Sequence, residues 1–160
     1  MEKLVTADWV AENLNNPNVR LVEVDVDTTA YAKGHIEGAV DWSWTTQLQD
    51  QVQRNIISSE SLETLLVDSG ISNNTHVVLY GDNNNWFAAY ALWLLEIYGH
   101  ERVSLMDGGR VKWLSDERST TTAVPQFQRT SYTANNADKG LRAQREEVLA
   151  ALEEPAVQLL

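Results

Sequence analysis

The chain has 160 residues, 43% of them hydrophobic, with 12 Lys or Arg against 23 Asp or Glu for a formal net charge of -11. That length and apolar content suit one ordinary domain with a sizeable core and some extra chain. The acidity, with no basic cluster to offset it, argues against nucleic-acid or anionic-membrane binding.

Thr6 or Asp8 can cap a first helix carrying Trp9, Val10, Asn13 and Leu14, which Asn15-Asn16-Pro17-Asn18 ends. Val19 to Val24 alternates apolar and polar residues, then turns apolar, and reads as a strand. A loop from Asp25 to Thr29 leads into a short helical turn through Tyr31. Gly34-His35-Ile36-Glu37-Gly38-Ala39-Val40 is a Gly-framed segment entering a short second strand. Trp42 and Trp44 follow in a polar surround that suggests a partly exposed loop. Ser59 to Val67 reads as an amphipathic helix closed by Gly70-Ile71-Ser72-Asn73-Asn74.

Next comes the stretch that organises the rest. Val77-Val78-Leu79-Tyr80 is a β-branched and aromatic run, Gly81 to Asn85 a polar loop, and Trp86 onward an apolar helical pattern ended by Gly99. Asn84 or Asn85 is placed to cap that helix through its side chain. Val103 to Met106 is another strand, Asp107-Gly108-Gly109 a turn, and Arg110 to Leu114 a last helix around Trp113. The Thr-rich segment from Ser119 to Val124, closed by Pro125, reads as a linker. Strands alternating with helices at this spacing predict an α/β fold, its mostly parallel sheet covered on both faces. Trp93 and Trp113 are expected in the core.

A displacement of 138 positions lays Val10 on Val148, Leu14 on Leu152, Pro17 on Pro155, Val19 on Val157 and Leu21 on Leu159. Helix, proline stop and strand thus recur, and a second copy of the domain is expected to begin near Leu141.

Candidate chemistry is sparse. With no cysteine there is no disulfide, thiolate ligand or thiol nucleophile. His35 is a general base or, more simply, a ring that fixes the turn between two glycines. Glu23, Asp25 and Asp27 are an acidic metal cluster or loop caps and surface charge. His76 and His100 sit at element ends. Ser43, Ser58 and Ser59 lack a nucleophile-elbow setting. No metal or cofactor is expected. The residues from Met1 to Thr6 carry no apolar signal core, and no run is long enough to span a bilayer, so a cytoplasmic location is expected.

Gly34-His35-Ile36-Glu37-Gly38-Ala39-Val40, Tyr80-Gly81 with its following helix, and Asp107-Gly108-Gly109-Arg110-Val111-Lys112-Trp113 together resemble the rhodanese family of sulfurtransferases. The resemblance covers roughly residues 4 to 118 and implies a three-layer α/β fold. In active members a cysteine directly follows the strand and opens the loop. Its thiolate attacks a donor such as thiosulfate and carries the sulfur as a persulfide to an acceptor such as cyanide. Loop amides and the helix N-terminus stabilise the anionic sulfur. Here Gly81 stands at that position, Asp82 would repel thiosulfate, and Trp86 lies near the place of the family's loop arginine.

Two-domain members carry an inactive first copy and a catalytic second one, which fits the recurrence near Leu141. The resemblance therefore implies a non-catalytic rhodanese-like domain at residues 1–118, a linker at 119–140 and a truncated second domain at 141–160. The partner would be the carboxy-terminal rhodanese domain of the same polypeptide, which would receive the small anionic sulfur donor. Asp82, Asn83, Asn84, Asn85, Trp86 and Phe87 would line that domain's entrance or contact it. His35, Asp107, Gly108 and Gly109 would be structural. The alternative is a stand-alone inactive rhodanese-like module for protein binding or regulation.

Overall fold

Short apolar runs with β-branched residues, each followed by a helical pattern, leave one economical arrangement: parallel strands with crossover helices on both faces. The computed structural model, which describes residues 2–152, 154 and 156, has that arrangement. Its strands are β1 (Leu4–Val5), β2 (Val19–Asp25), β3 (Val40–Ser43), β4 (His76–Tyr80) and β5 (Val103–Met106). They form a sheet of order β1-β5-β4-β2-β3 in which every pairing is parallel. The helices are α1 (Ala7–Glu12), α2 (Thr29–Lys33), α3 (Trp44–Gln47), α4 (Ser59–Asp68), α5 (Trp86–Ile97), α6 (Gly109–Ser115) and α7 (Arg145–Ala151).

The central strand β4 is buried along its whole length, and its side chains alternate between two cores. Val77 and Leu79 join Leu62 and Leu66 of α4 and Leu94 and Leu95 of α5 on one face. Val78 and Tyr80 join Val10 of α1, Tyr31 of α2 and Trp113 of α6 on the other. The expected α/β sandwich is thus present. Thr6 caps α1 as anticipated, its hydroxyl accepting from Trp9 N–H at 3.1 Å.

Four expectations need correction. Strand β1 was not anticipated, because two residues are too short to show alternation; it is fixed by Asp107 N–H donating to Val5 O at 2.8 Å. Trp42 is in strand β3 rather than an exposed loop, only 1% exposed, and its indole N–H donates to Ser69 Oγ at 2.9 Å. Trp44, instead of standing in that loop, opens α3 and packs on Phe87 with ring centroids 5.0 Å apart. Trp93 is half-buried beside its core, its indole N–H donating to Leu141 O at 2.7 Å.

The segment 119–140 is no loose tether but a strap laid along the domain. Thr121 and His35 exchange backbone hydrogen bonds at 2.8 Å. Farther on, Phe127 lies 3.2 Å beneath the Arg20 guanidinium, Tyr132 is buried in the α5 core, and Asp138 N–H donates to Ile97 O. Helix α7 starts 138 residues after α1 does. The second-copy strand expected at Val157–Leu160 lies outside the described residues.

Candidate functional site

In a parallel α/β sheet, ligands gather at the carboxyl ends of the strands, where loops and helix N-termini converge. Here that point is the loop between β4 and α5, flanked by the ends of β2 and β5. Asn83, Asn84 and Asn85 have φ of 51°, 56° and 62°, three successive left-handed residues. Asparagine tolerates that conformation better than other side-chain-bearing residues, which accounts for the Asn-Asn-Asn run.

Asn85 occupies the N-cap position of α5, but no side chain caps the helix there, contrary to expectation. Its Oδ1 instead accepts from Gly81 N–H at 3.0 Å, and its Nδ2 donates to Met106 O at 2.8 Å. One amide thus ties the loop to the end of β5. The neighbouring loop donor is also engaged: Asp82 N–H donates to Asp25 Oδ1 at 2.8 Å. Two backbone N–H groups that open the loop therefore point at oxygens of the protein's own side chains.

Both glycines beside this contact allow close approach. A Cβ built on Gly81 falls inside 3.0 Å of the Val24 carbonyl oxygen and meets Asp25 Oδ1 at 3.0 Å. A Cβ on Gly109, at φ +53°, runs into the Asn85 amide and stands 2.9 Å from Gly81 O. Gly108, at φ +73°, makes the turn into α6. Arg110 N–H then donates to Gly81 O at 3.2 Å.

Beneath the loop lies an ionic cluster whose hub is Arg110, at the start of α6. Its Nη1 stands 2.6 Å from Glu23 Oε1 and its Nε 3.6 Å from Asp82 Oδ1. Its Nη2 donates to the carbonyls of Ala30 and Gly34 at the end of α2. Arg110 thereby joins α6, β2, α2 and the loop. Glu23 and Asp25 are 1% and 2% exposed, and each keeps one buried oxygen without a hydrogen-bond partner.

Burial pushes the Glu23 carboxyl up to about 7, the Tyr80 hydroxyl and Arg110 opposing and Asp25 adding to the rise. Desolvation outweighs the ion pair because the carboxylate has no contact with water. Asp25 is raised by burial too, with the Asp82 N–H opposing. Asp27 is exposed and caps Thr29 N–H at 2.9 Å. The three acidic residues therefore split between a buried ionic cluster and a cap, and among the described residues no group of three or more His, Cys, Asp or Glu is placed to hold a metal ion.

His35 is buried, stacked on Tyr31 at a centroid distance of 3.7 Å, its Nδ1 2.9 Å from Tyr31 O and its Nε2 3.2 Å from Ala123 O. Both ring nitrogens thus face backbone carbonyls. The loop's outer face differs: Trp86 is 71% exposed, whereas Phe87 is half-buried against Trp44. Asp82 meets Arg110, and Asn85 meets Gly81 and Met106, at the mouth of this loop.

The model of the rhodanese-like domain matches residues 6–116. A protein of Mycolicibacterium smegmatis is 49% identical over 149 residues, covering 93% of this chain and 54% of its own length. One of Haloferax volcanii is 46% identical over 155 residues, with 94% and 54% covered. Both bear the name "Putative thiosulfate sulfurtransferase". The chain thus spans about half the length of the curated relatives it matches. The crystal structure of SseA, a 3-mercaptopyruvate sulfotransferase of Escherichia coli, superposes with a TM-score of 0.84 at 23% identity. That superposition covers 99% of this chain and 64% of SseA, and at such identity it speaks for the fold. With a parallel sheet of this order and a family match over most of its length, the chain belongs to the rhodanese-like domains.

Proposed function

We propose that the chain is the non-catalytic amino-terminal rhodanese domain of a two-domain thiosulfate sulfurtransferase, a cytoplasmic protein that moves sulfane sulfur from thiosulfate to a thiophilic acceptor such as cyanide. The observation that carries this reading is the occupied loop. Gly81 offers no thiolate, and the two amides that open the loop donate to Asn85 and Asp25 rather than standing free for an anionic sulfur. The catalytic cysteine would then belong to the second domain, with Trp86 and its neighbours along that domain's entrance. The length of the relatives and the position of α7 relative to α1 support a second copy. Among the described residues no helix is long and apolar enough to cross a membrane.

Thiocyanate formation from thiosulfate and cyanide tests the proposal. This chain should stay at buffer background, and production scaling with protein would refute its non-catalytic role. Reading the parent gene beyond Leu160 tests the rest. A second strand–loop–helix unit with a cysteine after its strand is expected. A frame that closes there, or continues without that cysteine, would favour the stand-alone binding module.

A further inference from the structure

At the opposite end of the sheet from the Gly81 loop lies a cavity of about 290 Å³ beside Arg20. The register pairs Val19 with His76 and Glu23 with Tyr80, so the two ends are separated by four residues of strand, roughly 13 Å. Arg20 is half-buried, and among the described residues no carboxylate lies within ion-pairing distance of it, although the chain has a net charge of -11. Its Nη2 reaches Gly70 O at a long 3.4 Å, and its buried Nε has no partner. Phe127 fixes the guanidinium plane from one side, Cζ standing 3.2 Å from the ring centroid. Burial lowers the guanidinium from the ordinary arginine value, a sign that its charge is incompletely compensated. Cation–π contact offsets only part of that cost.

We infer that this cavity is a binding site for a small organic monocarboxylate, held by the planar fork of Arg20 with its carbon chain against Leu14, Pro17 and Phe127. A guanidinium presents paired N–H donors matched to a carboxylate. The apolar residues suit an aliphatic tail better than a fully hydrated inorganic ion. Glu37, the one acidic residue among the described residues that line the cavity, penalises a dianion more than a monoanion. The site is independent of the Gly81 loop and of the sulfur chemistry proposed above.

The test is a titration of the whole chain followed by ¹H–¹⁵N NMR at constant ionic strength, with acetate, butyrate, sulfate and thiosulfate as probes. Butyrate should shift the Arg20 Nε–H signal and the amides of Asn15, Asn16, Asn18, Val19 and Arg20 saturably, several-fold tighter than acetate. Sulfate and thiosulfate should be weaker than either. Arg20→Gln should weaken butyrate at least tenfold. Leu14→Trp, which fills the cavity and keeps the cation, should do the same and decides the matter if the first variant does not fold. Non-saturating shifts, butyrate affinity unchanged by Leu14→Trp, or thiosulfate binding as tight as butyrate would overturn the inference.

Discussion

Replacing Gly81 with alanine brings a methyl carbon inside 3.0 Å of Val24 O, a backbone atom of the neighbouring strand β2. Relief requires the end of β4 to move away from β2 by about an ångström before ordinary contact is restored. That movement stretches the Asp82 N–H bond to Asp25, itself 2.8 Å long, and disturbs the Gly81 contacts to Asn85 and Arg110. Overpacking costs about 1–3 kcal/mol, and weakening a hydrogen bond to a charged acceptor adds roughly 1–2 kcal/mol. For a chain of this size the sum corresponds to a Tm lower by roughly 5–15 °C. Thermal melts followed by circular dichroism would measure it. A Tm within about 2 °C of the parent would refute the close-approach argument. Gly81→Cys meets the same carbonyl with its Cβ, so a thiol installed there should cost stability without forming a working persulfide site.

Glu23 gives a pH test: its carboxyl is held up at about 7, so the folded state binds a proton more tightly than the unfolded chain. Its contribution is complete below the unfolded value near 4.5 and is lost as pH rises through about 7. Unfolding free energies from urea titrations should therefore fall between pH 5 and 8, and fall less in Glu23→Gln by up to about 3 kcal/mol; parallel profiles would contradict the assignment. Tyr132→Ala should lower stability by about 3–5 kcal/mol in urea titrations, because the ring is 7% exposed and packed in the α5 core. An unchanged midpoint would show that the strap adds nothing. Asn85→Ala should cost about 1–3 kcal/mol by leaving Gly81 N–H and Met106 O without partners, and should speed hydrogen exchange at the Gly81 amide; unaltered exchange would count against the bridge.

Strands β2, β4 and β5 and helices α4, α5 and α6 were legible because each buries one face or all of its length, which periodicity records. Trp42 was misread because its polar neighbours Asp41 and Ser43 suggested a loop, although apolar flanked by polar is itself the alternation of a half-buried strand. The fault at Asn85 was one of range. A local capping rule sees the helix that follows, not the β5 carbonyl 21 residues away that the side chain reaches. Arg110 is similar: nothing near it in sequence marks it as the partner of Glu23, 87 residues earlier. The strap had a faint signal, two isolated aromatics, Phe127 and Tyr132, in an otherwise polar and Thr-rich stretch.

The way the strap is attached governs how the domain would respond to force. Its contacts follow one another along the chain, from Asp138 on Ile97 and Asn135 on Tyr98, through Tyr132 on His100, to Phe127 on Arg20 and Thr121 on His35. Tension applied from beyond residue 140 would load them one at a time, as in a zipper, and not all together, as in shear. The strap should peel in small steps while the sheet stays closed, so that a pull on whatever follows is absorbed in lengthening chain before it reaches β4 and the Gly81 loop.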